Sequence, residues 1–169
     1  MKKFAVLLIL VLIVIGCHKD NASETSCNIQ QVYLDNANKV TITSGVWGTV
    51  SSMEGNCMPM IPPSTSTCRN CPVQRTVKIY QYTTLSSAVT TDPYKRFFDS
   101  FNTQLLAEVE TDENGFFQIN ISPGHYTIVT VENGKLYAEE TDGQGGLNPF
   151  ILSSGTQNVN IKMTYKAVF

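Results

Sequence analysis

Histidine is nearly missing from this chain of 169 residues, which has only His18 and His125. His18 lies in a polar N-terminal stretch and His125 in a Pro-Gly turn, and neither has an orienting partner that would make it a general base. No Gly-x-Ser-x-Gly elbow, phosphate-binding loop or His-Glu-x-x-His pair occurs, so nothing in the sequence points to an enzyme. Charged residues are scarce at 15%, which excludes a coiled coil, and the 42% of apolar residues exclude a disordered chain. There is no basic excess, since 12 Lys and Arg face 14 Asp and Glu. Nucleic-acid binding wants a basic face, and no nucleic-acid partner is expected. The unbroken apolar run at residues 4–15 has 12 residues. A transmembrane helix needs about 20.

What is present at the N-terminus is ordered like a secretory signal: Lys2 and Lys3, the apolar run, then Gly16 and Cys17. Removing residues 1–16 leaves 169 less 16, or 153 residues, with 10 basic groups against 14 acidic ones and a net charge of −4. That length suits one domain. Val14-Ile15-Gly16-Cys17 resembles the lipobox of bacterial lipoproteins. The resemblance implies that Cys17 receives diacylglycerol on sulfur and becomes the N-terminus after cleavage. Each buried CH₂ of an acyl chain contributes about 0.8 kcal/mol, so several chains make a durable anchor in membrane lipid. His18 follows Cys17 where many inner-membrane lipoproteins have aspartate. The expected location is therefore the cell envelope, at the outer membrane or cell surface.

Setting Cys17 aside leaves Cys27, Cys57, Cys68 and Cys71. An even count in an exported chain predicts two disulfides, with three connectivities open. Cys57, Cys68 and Cys71 share one Pro-rich loop, so at least one bridge is expected to close it. Cys68-Arg69-Asn70-Cys71 also has zinc or redox spacing, but a second such pair and a thioredoxin-like context are both missing. Met58 and Met60 beside Cys57 would suit a soft metal only if the thiols stayed reduced. No metal and no cofactor are expected.

Residues 17–38 are polar and aperiodic and read as a flexible tether. From residue 39 to 169 the texture is β, with short runs of Val, Ile, Tyr, Phe and Thr between Gly, Asn, Asp and Pro. Residues 40–43 alternate apolar and polar, and strands are expected at 46–50, 73–82, 105–110, 117–121, 126–131, 135–139, 150–152 and 159–165, with a long loop at 53–72. Asn114-Gly115 and Asn133-Gly134 mark tight turns. Asp92-Pro93 reads as a helix start, and Phe97, Phe101 and Leu105 recur every four residues. A short helix over 93–102 is expected there, its aromatics serving as core cover. The whole predicts an all-β, antiparallel sandwich of seven or eight strands with one short inserted helix.

Gly45-Val46-Trp47-Gly48-Thr49-Val50, Arg75-Thr76-Val77-Lys78-Ile79-Tyr80 and Thr111-Asp112-Glu113-Asn114-Gly115-Phe116-Phe117 with Pro123-Gly124-His125-Tyr126 form a pattern. It resembles carboxypeptidase regulatory-like domains, and covers about 120 of the 153 residues after the signal. The implied fold is the transthyretin-like, or prealbumin-like, Greek-key sandwich. Glu54-Gly55-Asn56 with Met58-Pro59, and the stretch from Asp142 to Pro149, also resemble motifs of Bacteroidetes-type lipoproteins. The family has no catalytic residues to transfer. Hydroxyisourate hydrolases share the fold, but they need active-site histidines that this chain lacks.

Glu139, Glu140 and Asp142 make an acidic cluster beside Gly143, Gly145 and Gly146. The glycines permit a tight path that other residues would not follow, so calcium is not needed to explain the cluster. If successive strands reverse, the inserted helix, the Pro123-Gly124 turn and this loop share one end. Asp142, Gln144 and Asn148 are the candidate recognition residues there. The expected function is a membrane-anchored, non-enzymatic accessory or binding module, with a cell-envelope protein or polysaccharide as partner. The alternative is a metal- or small-ligand-binding periplasmic protein using the loop at 57–71 or at 142–149.

Overall fold

A computed structural model describes residues 27–63 and 66–169. The expected signal at 1–16, the expected acylation site Cys17 and the expected tether as far as residue 26 lie outside the described residues. The architecture is an all-β sandwich of two open sheets with one short helix. The first sheet is built on β1 (Gly45–Asn56), whose length lets it take different neighbours along each edge. It pairs antiparallel with β2 (Arg69–Pro72) and β8 (Phe116–Ile119). It pairs parallel with β12 (Thr156–Asn158) and β13 (Ile161–Val168), the only parallel pairs among the described strands.

The second sheet runs in the order β5 (Phe97–Phe98), β10 (Lys135–Tyr137), β9 (Gly124–Glu132), β3 (Thr76–Gln81), β7 (Leu105–Glu110). The last strand of this sheet, β11 (Pro149–Leu152), pairs with the first half of β9. A small ribbon of β4 (Ala88–Val89) and β6 (Ser100–Phe101) stands outside both sheets. Of these strands, eight have four or more residues, and the remainder are pieces of two or three.

The period-two pattern explains the packing. Val46 and Val50 of β1, Phe117 and Ile119 of β8, and Ile161 and Met163 of β13 point inward from the first sheet. They meet Val77 and Ile79 of β3, Ile128 of β9, and Phe150 and Leu152 of β11. Burial of a large apolar side chain contributes about 1.5–3 kcal/mol, and this interface is the main core. On β9, Val129 has the opposite parity and is also fully buried. It belongs to a second core with Tyr80, Phe98, Leu136, Ala138 and Leu147, on the outer face of the second sheet. The β4–β6 ribbon covers that face. Apolar residues at both parities of a strand mean both faces are covered.

The ribbon replaces the helix expected at 93–102. Asp92 does cap backbone N–H groups, accepting from Tyr94, Arg96 and Phe97 at 3.3, 2.7 and 3.1 Å. The chain then leaves helical geometry at Lys95, whose φ is 53°. Phe97 packs against the main core, while its neighbour Phe98 is buried in the second core. Adjacent residues facing opposite sides are a strand property that no helix reproduces. Core cover holds for Phe97, Phe98 and Phe101; Tyr94 is exposed.

The helix, α1 (Ile29–Ala37), lies in the segment read as tether. Asn28 caps it by accepting from the Gln31 N–H at 3.2 Å. The segment from Cys27, which is bonded to Cys71, therefore belongs to the folded unit ahead of residue 39. Residues 40–43 form no strand, and Thr41 and Ile42 are held through the Gln118 side chain. Strands β1 and β2 instead extend into the region read as loop at 53–72.

Candidate functional site

Three surface features combine polar chemistry with a concave or apolar shape. The first is the loop at 142–149, singled out from the sequence. Asp142 Oδ1 accepts the N–H groups of Gln144 and Gly146, each at 2.9 Å, and Oδ2 accepts the Tyr82 hydroxyl at 2.7 Å. The Tyr82 bond, aided by the backbone donors, holds the Asp142 carboxyl below its ordinary range and pushes the phenol up. Tyr82 stacks on His125 with ring centroids 4.0 Å apart. Asn148, at φ 38°, accepts the N–H groups of Glu139 and Glu140 at 3.0 and 2.8 Å. Asp142 and Asn148 thus hold the loop's own path, and Gln144 is exposed at its tip.

Asn148 also borders a hollow of about 50 Å³ lined by Tyr137, Glu139, Asn160 and Lys162, among others. That space suits a few waters rather than an organic ligand. Beneath it, Tyr137 donates its hydroxyl to Glu139, and Thr164 donates to the same carboxylate at 2.6 Å. Burial, reinforced by the Glu139 contact, pushes the Tyr137 phenol far above its ordinary range. The same hydroxyl accepts the Thr164 N–H at 3.1 Å, which ties β10 to β13.

The second feature is a groove of about 460 Å³ lined by Thr91, Asp92, Phe97, Glu132, Asn133, Lys135 and Tyr165. Three separate segments form it: the turn into β5, the β9–β10 hairpin and the middle of β13. Its floor is aromatic, with Phe97 and Tyr165 edge-to-face at 5.1 Å. Glu132 is buried and accepts from Arg75 Nε at 2.5 Å and from the Tyr165 hydroxyl at 2.8 Å. Burial opposes its charge, but Arg75 and Tyr165 outweigh burial and keep the carboxyl below its ordinary range. Asp92 is likewise held down, chiefly by the Arg96 N–H. Lys135 on the rim pairs with Asp99 at 2.9 Å. The sequence reading missed this groove, because no local motif links its three segments. The residues at 93–102 do meet the loop at 142–149, since Phe98 shares the second core with Leu147, while the turn that opens the segment lies against β10, where the Ala138 N–H donates to the Arg96 carbonyl at 3.0 Å.

The third feature is the cysteine end. Cys27 is bonded to Cys71, and Cys57 to Cys68, which settles the connectivity. With these sulfurs paired, the thiolate-metal reading of the loop at 57–71 fails, because a disulfide is no thiolate ligand. Among the described residues no three His, Cys, Asp or Glu side chains converge as a metal site would need. Glu54 pairs with Arg69 at 3.1 Å and Lys166 at 3.2 Å, and their hydrogen bonds hold its carboxyl below the ordinary range. Met58, Ile61, Val168 and Phe169 are exposed at this end.

Compared with protein-family models, curated proteins and solved structures, the chain matches none.

Proposed function

We propose that the protein is a lipid-anchored, non-enzymatic binding module of the cell envelope. It is a transthyretin-like sandwich of the carboxypeptidase regulatory-like kind, held at the outer membrane or cell surface through an acylated Cys17. The observation that carries this reading is cysteine parity. Five cysteines are present, and Cys27, Cys57, Cys68 and Cys71 pair with one another. The cysteine left over is the one in the lipobox-like Val14-Ile15-Gly16-Cys17. Two disulfides also agree with an oxidising compartment outside the cytoplasm.

The groove lined by Phe97 and Tyr165 is the binding surface of this reading. An aromatic floor with fixed Asp92, Glu132 and Lys135 suits the apolar face and hydroxyl edges of a sugar ring, favouring an envelope polysaccharide. The segments that carry the family resemblance fall on β1, on β3, and on the turn and strand ending in β8.

Membrane fractionation and intact mass of the exported chain test the anchor. The native chain is expected in the membrane fraction with the mass of an acyl-modified Cys17, and Cys17→Ser is expected in the soluble envelope fraction. Unchanged partitioning of Cys17→Ser would sink the anchor. A glycan-binding assay with Lys135→Glu tests the groove. Lys135 is an exposed partner in a surface ion pair, so the fold should tolerate the change while binding weakens.

A further inference from the structure

We infer that the cysteine end is a lipid-contacting lip, dipping Ile61 and its apolar neighbours into the headgroup region of the bilayer that carries the anchor. The inference rests on the anchoring reading and adds an orientation to it.

Ten large apolar residues are exposed among the described residues, and four of them, Met58, Ile61, Val168 and Phe169, gather here. Ile61 is 100% exposed. The four come together through strand pairing: Asn56 is in register with Val168, and the Cys57 N–H donates to the Val168 carbonyl at 2.8 Å. Met58 and Ile61 follow within the loop closed by Cys57–Cys68. That closure fixes the ends of the segment carrying Met58 and Ile61, so these side chains are presented with a smaller ordering cost.

The entry point of the chain argues for lipid as the occupant. Cys27 is tied to Cys71, which is in register with Ser52 on β1 and lies close to the Cys57–Cys68 bridge. From Cys27 the helix α1 runs back toward the middle of β1, where Asn36 meets Thr49. The chain therefore arrives at the same end as the apolar lip. Cys27 lies ten residue steps beyond Cys17. Fully extended these steps reach about 35 Å, so the anchor confines this end near the lipid surface. The opposite end carries Pro123 and the 142–149 loop and is the farther one from the anchor. Two cations, Arg69 and Lys166, flank one carboxylate, Glu54, beside the lip.

The test uses the lipidated full chain in vesicles of phosphatidylethanolamine and phosphatidylglycerol, with the single tryptophan removed by Trp47→Phe. One reporter is Ile61→Trp; the other is Ile151→Trp, exposed on β11 near the Pro123 end. Circular dichroism and disulfide mapping confirm that each variant is folded. Brominated phospholipid is expected to quench the Ile61→Trp emission about twofold or more, because an interfacial side chain lies within reach of the acyl boundary. The Ile151→Trp emission is expected to stay unchanged. Equal quenching at both sites, or none at Ile61→Trp in a chain that floats with the vesicles, overturns the lip and leaves the anchor standing. A chain whose mass shows no acyl group overturns the anchor and the lip together.

Discussion

Asn36 on α1 donates its side-chain amide to the Thr49 hydroxyl on β1 at 2.9 Å, and both residues are fully buried. The same amide donates to the Asn114 carbonyl at 2.9 Å. One side chain therefore fastens the helix, the central strand of the first sheet and the turn after β7. Replacing it by alanine leaves the Thr49 hydroxyl and the Asn114 carbonyl without this donor at a buried site. Asn36→Ala is expected to lower unfolding stability by about 2 kcal/mol, the usual penalty for orphaning buried polar groups. Leu34→Ala, on the same helix but exposed, should change it by less than about 0.5 kcal/mol. Urea titration of both variants reads the contrast, and equal effects would show that Asn36 is not the fastening point.

Two glycines at turns separate backbone freedom from space. Gly115 has φ 69°, and a Cβ there would stand 2.2 Å from the Val50 carbonyl oxygen. Gly134 has φ 77° with nothing within 4 Å. Gly134→Ala therefore carries only the left-handed backbone penalty, about 1–2 kcal/mol. Gly115→Ala must also push the 111–115 turn off β1. Its cost is expected to exceed that of Gly134→Ala by about 1 kcal/mol or more, through the same overpacking that penalises enlarged core residues. Thermal unfolding of the two variants side by side decides this, and a larger loss in Gly134→Ala would contradict it.

The two disulfides close loops of different length. The sequence separation is 44 for Cys27–Cys71 and 11 for Cys57–Cys68. In the chain-entropy picture the longer closure contributes about 4 kcal/mol and the shorter about 3 kcal/mol. Paired serine substitutions should therefore reduce stability in that order. Loss of Cys27–Cys71 should also raise hydrogen exchange across α1, since that bridge fixes its N-terminal side. Removing Cys57–Cys68 should leave α1 protected.

Much of the sandwich is visible as alternation. Phe117 and Ile119 on β8, and Ile161 and Met163 on β13, alternate inward against polar neighbours, and each strand appears where that pattern places it. The Asn114-Gly115 and Asn133-Gly134 turns are equally local, since each needs positive φ at its glycine. What stays hidden depends on partners distant in sequence. The helix α1 has a weak apolar stripe and is held instead by Asn36 and by the Cys27–Cys71 bond. The segment from Asp92 carries a true capping residue and a four-residue aromatic spacing, so local signals favour a helix. The demand of two cores for Phe97 and Phe98 on opposite sides overrides them. The groove lined by Phe97, Glu132 and Tyr165 exists only once three segments meet, and no spacing rule finds it.

Glu132 offers a test by pH. Its folded carboxyl lies below the ordinary value of 4.5, with burial opposed by Arg75 and the Tyr165 hydroxyl. A group whose folded value is lowered stabilises the protein above its unfolded value, and that contribution is lost as pH falls through the folded one. Stability should therefore decline on acidification below about pH 4.5. Glu54, held down by Arg69 and Lys166, acts in the same direction from a half-buried site. Glu132→Gln keeps an acceptor for Tyr165 but removes the charge, so the acid decline should become shallower. At neutral pH the same variant leaves Arg75 without its counter-charge at a mostly buried position. It should lose about 2 kcal/mol there, below the 3–5 kcal/mol typical of fully buried pairs because Arg75 retains some solvent. Adding Arg75→Met should recover part of that loss by removing the unpaired cation. Urea titrations at a series of pH values read both effects. An acid slope identical in the native chain and Glu132→Gln would remove Glu132 from the account and leave the decline to the other carboxylates.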